Sequence, residues 1–170
     1  MINFKKGNGH SLKQTDKLGN AKVGEGVVAG MVVHVDSNGD VIKGGNAATN
    51  LLGFAANDQT DSDVIESGKI GMIMLDGNTV IETDQVTITT GSTINFTDFP
   101  IGAAVTYDST TGNVIKVAST ERVLGYVEGI RTLPNTVNVT QSYKNIAGTT
   151  LSNTVATQKF VNVLGIKLAV

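Results

Sequence analysis

Short runs of apolar residues alternate with clusters of Gly, Asn, Asp and Thr along most of the chain. The runs are rich in Val and Ile, whose branched side chains suit the pleated surface of a strand, and the clusters carry the residues that tight turns require. This pattern predicts an all-β fold, a compact β-barrel or sandwich of short antiparallel strands. The predicted strands are residues 27–35, 41–43, 51–56, 69–75, 79–82, 86–89, 103–107, 114–117, 123–130, 136–140 and 160–170.

Two stretches of the chain repeat the same order of strand, turn and strand. Residues 30–43 resemble residues 102–116, and the tetrapeptide Leu-Gly-Phe-Ala at 52–55 matches Leu-Gly-Tyr-Val at 124–127, with an offset of 72 residues at both places. We predict an internal duplication of a hairpin with a partner strand. The alternative is that any two hairpins with Asp and Gly in their turns look alike. The predicted copies are residues 27–56 and 99–130.

Asp and Gly stand at equivalent places in the two copies. Each Asp is predicted to cap its turn through the side chain, and each turn Gly to adopt the left-handed backbone conformation that other residues avoid. Another pair of glycines lies in the third strands, where the missing side chain allows close packing or a bend. The predicted structural residues are Asp36, Gly39 and Gly53 in the first copy and Asp108, Gly112 and Gly125 in the second.

The two ends of the chain do not share the pattern of the middle. Residues 1–22 are polar and rich in Lys, which predicts an extended N-terminal arm that is ordered where a neighbour holds it. Residues 23–141 are predicted to form the body, and residues 142–170 a long loop followed by a C-terminal strand. The arm residues predicted to contact a partner are Phe4, Lys5, Lys6, Lys13 and Lys17.

Charge and composition argue against several classes of function. The formal net charge is −2, so we expect no nucleic-acid partner. The chain contains no Cys, which rules out disulfides, thiolate nucleophiles and Cys-ligated zinc. No apolar run approaches the roughly 18 residues of a membrane span, and no apolar stretch follows the basic N-terminus. We therefore expect neither a membrane segment nor a signal peptide.

Residues 36–40 place oxygen ligands at alternate positions, as a calcium-binding loop does. The calcium loop also requires a Gly at its sixth position and a bidentate Glu at its twelfth, and Val41 and Ala47 stand there instead. A hairpin turn is therefore the favoured interpretation.

Asp58, Asp61 and Asp63, with Glu66 nearby, offer carboxylates for a divalent cation or for hydrolysis. Such a run is more often a solvated loop, and it also suits contact with a basic surface. A metal-dependent hydrolase built on this cluster stays open as a minor alternative.

The remaining residues form no catalytic motif. His10 lies in the predicted arm, and His34 is expected on the polar side of a half-buried strand. No Gly-x-Ser-x-Gly turn, phosphate-binding Gly loop or dinucleotide fingerprint occurs. Trp is absent and aromatic residues are few, which argues against stacking a sugar or a base. We expect no catalytic residues, no metal ligands and no cofactor, and therefore not an enzyme.

The hairpins of form Gly-x-x-Val-x-(Val/Tyr)-Asp are each followed by a Leu-Gly-(Phe/Tyr) strand, and residues 67–77 read Ser-Gly-Lys-Ile-Gly-Met-Ile-Met-Leu-Asp-Gly. With these motifs, residues 23–131 resemble small phage capsid decoration (cement) proteins. The resemblance implies a virion structural protein, made in the host cytoplasm, that binds the major capsid protein on the outside of the shell, commonly as a homotrimer. It also implies that the N-terminal arm contacts the shell. The chain beyond Leu133 has no counterpart in that family.

A repetitive β-protein without a catalytic site is also typical of phage tail-tube, connector, baseplate and head-fibre components. Residues 142–170 would then supply the loop and terminal strand that stack rings. A secreted adhesin or carbohydrate-binding module is a weaker alternative, because we expect no signal peptide.

Overall fold

The computed structural model describes residues 2–5, 17–45, 52–74 and 79–169, and its regular structure is almost entirely β-strand. The strands are β1 Ile2–Lys5, β2 Lys17–Ala21, β3 Val32–Val35, β4 Asp40–Lys43, β5 Leu52–Ala55, β6 Lys69–Met74, β7 Val80–Thr83, β8 Ala104–Tyr107, β9 Val114–Lys116, β10 Gly125–Lys144 and β11 Thr150–Leu168. A short helix, α1 Ser62–Ser67, connects β5 to β6. The predicted all-β fold is confirmed.

Strands β2 to β6 form a closed barrel with the order β2-β4-β3-β5-β6. Neighbouring strands pair antiparallel, except β2 and β4, which run parallel. Successive residues of a strand point to opposite faces, so alternate side chains can fill the interior. The core residues of this barrel and its adjoining loops are Val27, Val33, Val41, Ala55, Val64, Ile70 and Met72.

The second sheet has the order β1-β7-β11-β10-β8-β9. A parallel bridge between Val86 and Val114 links the segment after β7 back to β9. Read from its other end, this sheet has the order β9-β8-β10-β11-β7 before it reaches β1. Around the closed barrel, the corresponding strands follow in the order β4-β3-β5-β6-β2. The chain therefore consists of two units with the same strand order, unit 1 with β2 to β6 and unit 2 with β7 to β11.

The pairing registers of the two units agree at the predicted offset. Val33 pairs with Gly53 in unit 1, and Val105 pairs with Gly125 in unit 2. Two backbone hydrogen bonds of unit 1 recur at the same offset in unit 2. The bond from Gly30 N to Ala55 O corresponds to that from Gly102 N to Val127 O, and both are 2.8 Å long. The bond from Ala55 N to Met31 O corresponds to that from Val127 N to Ala103 O, and both are 2.9 Å long. The predicted duplication is confirmed, and it extends from three strands to all five.

The two units meet where the hairpin turn of unit 2 contacts the start of β3 and the end of β4. The N–H of Val32 donates to the carbonyl oxygen of Gly112 at 2.7 Å, and the N–H of Gly45 donates to that of Ser109 at 2.8 Å. A Cβ on Gly44 would overlap the carbonyl of Ser109. The contact is therefore made between backbones, and it requires glycine in this position.

One hydrophobic cluster crosses the boundary between the units. It joins Val32, Phe54 and Ile73 of unit 1 to buried residues of unit 2, and it makes the two units share a core. The buried residues that unit 2 and its loops contribute are Ile81, Ile94, Phe99, Val105, Tyr107, Val114, Leu124, Val127, Leu164, Ile166 and Leu168.

Two predicted boundaries are wrong. The arm does not extend to residue 22, because Lys17–Ala21 is a barrel strand paired with β4 and β6. Its sequence has no apolar alternation, and its strand conformation depends on distant partners. The long loop predicted in the first part of residues 142–170 is also wrong, because β10 continues to Lys144 and β11 begins at Thr150. Its many Thr residues are β-branched and suit a ribbon as well as a loop.

Candidate functional site

The candidate functional surface is a two-stranded ribbon formed by the distal parts of β10 and β11. The strands pair antiparallel up to Lys144 and Thr150, next to the turn. Within the described residues, β8 pairs with β10 only at residues 125–126, and β7 pairs with β11 only at residues 164–167. Residues 132–162 therefore leave the sheet with both edges unpaired in the described chain, and we call them the distal arm.

The distal arm has two different faces, because directly opposed residues of an antiparallel pair lie on the same side. One side, which we call the apolar face, carries apolar pairs that are separated by polar and mixed pairs. Its pairs include Leu133/Val161, Asn135/Lys159, Val139/Val155, Gln141/Asn153 and Tyr143/Leu151. The opposite side, which we call the hydroxyl face, includes Pro134/Phe160, Thr136/Gln158, Thr140/Thr154, Ser142/Ser152 and Lys144/Thr150.

Large side chains on the apolar face are exposed to solvent. The exposed fractions are 41% for Val139, 39% for Val155, 54% for Tyr143 and 40% for Leu151. An isolated two-stranded ribbon is at best marginally stable in water, and clustered exposed apolar side chains mark interaction surfaces. The distal arm has the properties of a surface that a partner completes.

Three polar contacts hold the base of the arm. The guanidinium of Arg131 binds the carboxylate of Glu82 at 3.0 Å, and Glu82 is fully buried in β7. The side chain of Asn162 donates to the carbonyl oxygen of Ile94 at 3.2 Å and accepts from the hydroxyl of Thr132 at 2.9 Å. These contacts set the direction in which the ribbon leaves unit 2.

Three of the N-terminal residues predicted to contact a partner are described, and they belong to different sheets. Phe4 and Lys5 lie in β1, which pairs with β7 at the edge of the second sheet. Lys17 begins β2 of the barrel. Lys6 and Lys13 lie outside the described residues. The structure therefore does not bring the described members of this set together on one extended arm.

The turn of the first hairpin has the predicted chemistry. Oδ1 of Asp36 accepts hydrogen bonds from the N–H of Asn38 at 2.8 Å and of Asp40 at 2.9 Å. These bonds, chiefly that from Asp40, lower the pKa of the Asp36 carboxyl. Gly39 has a φ of +81°, in the left-handed region. This carboxylate oxygen closes the turn, as the hairpin interpretation requires.

The second hairpin repeats this arrangement with one more residue. Oδ1 of Asp108 accepts from the N–H groups of Thr110 and Thr111, both at 2.8 Å. The bond from Thr111 is the main cause of the lowered pKa of the Asp108 carboxyl. Gly112 has a φ of +73°.

The third-strand glycines lie where strands approach closely. A Cβ on Gly53 would lie 2.5 Å from the carbonyl oxygen of Ile73. On Gly125 it would overlap the carbonyl oxygen of Lys167 and lie 2.9 Å from Cγ2 of Ile166. This geometry agrees with the predicted close packing at both glycines.

The acidic cluster before α1 makes local structural bonds. Oδ1 of Asp58 accepts from the N–H of Ala29 at 2.7 Å, and Oδ2 of Asp61 accepts from the N–H of Asp58 at 3.1 Å. Asp63 lies in the first turn of α1. In the part of the chain that the structure describes, no group of three or more His, Cys, Asp or Glu side chains is arranged to hold a metal ion.

His34 is buried, and the prediction that it lies on the polar side of a half-buried strand is wrong. Its Nδ1 lies 2.7 Å from the carbonyl oxygen of Gly44, and a Cβ on Gly45 would overlap its ring. The side chain therefore packs at the contact between the two units.

The continuous ribbon was not predicted, although the sequence carries a signal for it. Val139 and Tyr143 stand an even number of residues apart in one strand, as do Leu151 and Val155 in the other. This period-2 spacing between Thr, Ser and Asn residues is typical of a strand with one apolar face. The signal was weak because polar residues, among them Asn135, Gln141, Asn153 and Lys159, interrupt the apolar positions of both strands.

Among the described residues, no helix has the length and apolar character needed to cross a membrane. Comparison of the chain with family models, with curated proteins and with solved structures found no match.

Proposed function

We propose that this protein is a virion structural protein of the decoration class, which binds the major capsid protein on the outside of a phage shell and stabilises it. The observation that carries the proposal is the distal arm, an amphipathic ribbon with exposed apolar residues that projects from a body of two units. The proposal assigns the protein no catalytic role and no cofactor.

The arm supplies the two means by which β-proteins bind partners. Its unpaired edges offer backbone N–H and C=O groups that a strand of another protein can extend. Its apolar face offers side chains that gain free energy when they leave water. A shell that presents many identical sites would add avidity to a modest affinity at each site.

The charge of the arm favours a protein partner. Between residues 132 and 162 the chain has Lys144 and Lys159 as its charged residues and no Asp or Glu. Two Lys residues on a long ribbon are too few for the dense phosphate contacts of nucleic-acid binding. The resemblance of residues 23–131 to decoration proteins supports the capsid as the surface that is bound.

A tail-tube, connector, baseplate or head-fibre component is the second candidate. A long hairpin that extends beyond its own sheet also suits subunits that stack into rings or fibres, because neighbouring hairpins can pair edge to edge. The two candidates differ in what the purified protein does alone. A tube or fibre subunit polymerises by itself, whereas a decoration protein stays small until shells are added.

Cosedimentation tests the proposal. The full chain is mixed with undecorated capsids of the phage that encodes it, and the bound protein is measured after pelleting. We expect saturable binding and a higher melting temperature of the shell. A matched variant replaces residues 133–161 with an Asn-Gly turn, which closes the hairpin at the paired Thr132 and Asn162.

The shortened variant is expected to keep the circular dichroism and cooperative melting of the body and to lose capsid binding. The proposal is contradicted if the full chain pellets no more in the presence of capsids than in their absence. Rings or tubes that form without capsids would replace it with the second candidate. Equal capsid binding by the full chain and the shortened variant would show that the distal arm is not the surface that binds the capsid.

A further inference from the structure

We infer that a groove on unit 2, outside the distal arm, binds an extended peptide of a partner protein through an acidic side chain. The groove lies between the segment after β7 and strand β9. Thr87, Thr89 and Thr90 line one wall, residues 115–118 line the other, and the volume is about 430 Å³. This volume is typical of ligand pockets. The inference goes beyond the proposed function, because it concerns a second binding surface.

The groove exists because the pairing between its two walls stops after a single bridge. The N–H of Thr87 donates to the carbonyl oxygen of Val114 at 3.0 Å. A parallel ladder would continue with a bond from the N–H of Thr89 to the carbonyl oxygen of Lys116. The N–H of Thr89 instead donates to Oδ2 of Asp98 at 3.0 Å. Asp98 therefore ends the ladder and leaves the two segments apart.

Strand β9 directs the backbone of Lys116 into this groove. The N–H of Val117 donates across the hairpin to the carbonyl oxygen of Ala104, so the neighbouring Lys116 occupies a position that does not bond to β8. Its N–H and C=O face the segment after β7, as those of Val114 do. Among the described residues, no backbone hydrogen bond from that segment reaches Lys116. The groove thus offers one donor and one acceptor to an added strand.

Unit 1 shows which group satisfies the equivalent N–H. Lys43 pairs with Val33 as Lys116 pairs with Val105, so the two lysines correspond. The N–H of Lys43 donates to Oε1 of Glu25 at 3.3 Å. In unit 1, the chain itself therefore supplies a carboxylate at this position.

Unit 2 has no acidic residue at the corresponding place. Glu25 lies four residues after Ala21, and Ala21 and Val86 pair with equivalent residues of β4 and β9. Four residues after Val86 the chain has Thr90. The Thr side chain is shorter than that of Glu and carries no charge. A carboxylate from a partner can therefore take the place that Glu25 occupies in unit 1.

The charged groups of the groove suit one acidic side chain. Lys116 lines the groove and is exposed, so its ammonium can pair with the bound carboxylate. Asp98 also lines the groove, but its carboxylate already accepts hydrogen bonds from the N–H groups of Thr89 and Thr90 and from the hydroxyl of Thr89. An extended peptide also supplies an N–H for the C=O of Lys116, which a small carboxylate does not.

The first test uses a synthetic peptide with the sequence of residues 21–28, which carries Glu25 in its own context. The peptide is titrated into the isotope-labelled full chain, and the backbone amide signals are followed by NMR. The matched peptide carries the substitution Glu25→Gln. We expect a saturable downfield shift of the Lys116 amide with the Glu peptide. The Gln peptide should bind about five-fold more weakly, because a charged acceptor makes the stronger hydrogen bond.

The second test changes the groove. Thr90→Glu supplies the missing carboxylate from the chain itself and should abolish binding of the Glu peptide. Thr90→Gln is the neutral control and should retain it. Lys116→Ala keeps the backbone N–H but removes the ammonium, and it should weaken binding about three-fold. The dispersion of the amide signals confirms that each variant is folded.

Three results would overturn the inference. They are an unshifted Lys116 amide, equal binding of the Glu and Gln peptides, and binding to Thr90→Glu as tight as to Thr90→Gln. Sodium acetate is a further probe, and an affinity equal to that of the Glu peptide would contradict a peptide partner.

These outcomes are independent of the capsid assay. The variant that lacks residues 133–161 should bind the Glu peptide as the full chain does, because the groove lies outside the distal arm. A full chain that binds the peptide but does not pellet with shells contradicts the proposed function and leaves this inference standing. A chain that pellets with shells but does not bind the peptide does the reverse.

Discussion

The backbone N–H of Val32 donates a hydrogen bond of 2.7 Å to the carbonyl oxygen of Gly112, the left-handed glycine in the turn of the second hairpin. Val32 is fully buried and begins strand β3 of unit 1. The contact joins the two units through their backbones at a buried position, where an unmade hydrogen bond is costly. The two units are therefore expected to unfold together.

Gly44→Ala tests this contact between the units. The new Cβ would overlap the carbonyl of Ser109, and Gly44 has a φ of +63° that Ala adopts with strain. Overpacking and the left-handed conformation together should destabilise the protein by about 3 kcal/mol. The measurement is the free energy of unfolding in urea.

Gly91→Ala is the matched control, because Gly91 has a similar φ of +80° but no atom within 4 Å of the place that a Cβ would occupy. It should cost only the conformational strain, about 1 kcal/mol. Equal losses for the two variants would show that steric overlap at the contact between the units contributes nothing.

Gly125→Val should destabilise the protein by about 3 kcal/mol or more, because its side chain would enter space held by the backbone of Lys167 and the side chain of Ile166. Gly53→Val should act in the same way against Ile73. Gly129→Val, in the same strand as Gly125, has open space around its Cβ and serves as the control. Equal melting temperatures for the Gly125 and Gly129 variants would contradict this prediction.

Arg131→Ala should destabilise unit 2 by about 2 kcal/mol, because the buried Glu82 loses the guanidinium that binds it at 3.0 Å. Arg131→Lys should lose less, because it keeps the charge without the planar fork. Lys159→Ala, on the exposed arm, should change stability by less than about 0.5 kcal/mol. A melting temperature of Arg131→Ala equal to that of Lys159→Ala would show that the ion pair does not stabilise the base of the arm.

Asp98 is expected to make the stability of the folded protein sensitive to acid. The hydroxyl of Thr89, at 2.5 Å, and the N–H of Thr90, at 2.9 Å, hold the pKa of its carboxyl well below the usual range. Because the folded-state pKa is depressed, the stabilisation is present above the unfolded-state value of about 4. It is lost as the pH falls through the folded-state value.

Thermal melting from pH 7 to pH 2 checks this dependence. The unmodified protein should lose stability below about pH 4, and Asp98→Asn should be less stable at neutral pH with a shallower decline in acid. Thr89→Val keeps the backbone donors to Asp98. Its stability at neutral pH and the steepness of its decline in acid should therefore lie between those of the unmodified protein and of Asp98→Asn. A decline of the same steepness for Asp98→Asn and the unmodified chain would assign the acid sensitivity to other carboxyls.

The two hairpins were predictable because their determinants are local. The side chains of Asp36 and Asp108 accept hydrogen bonds from backbone N–H groups a few residues away. Gly39 and Gly112 adopt the left-handed conformation that the same turns require. Such chemistry depends little on the rest of the chain. The spacing of the two copies then predicted the duplication that the pairing registers confirm.

The distal arm was predicted only in part, because its strands contain few apolar residues. The Thr and Asn residues around 142–158 are typical of loops as well as of exposed strands, and only pairing with the opposite strand distinguishes the two. The exposure of Val139 and Tyr143 depends on how far the ribbon extends beyond β7 and β8. The candidate site was therefore not recognisable from residue types.

The sequence alone determined the all-β class, the turns and the internal repeat, since these follow from periodicity and from short-range hydrogen bonds. The tertiary structure decided that Lys17–Ala21 closes a barrel and that one core spans both units. It also decided that the ends of β10 and β11 project from the sheet as the distal arm. These features depend on contacts between residues far apart in the chain, whose pairing is selected by burial of the whole core and not by any single segment.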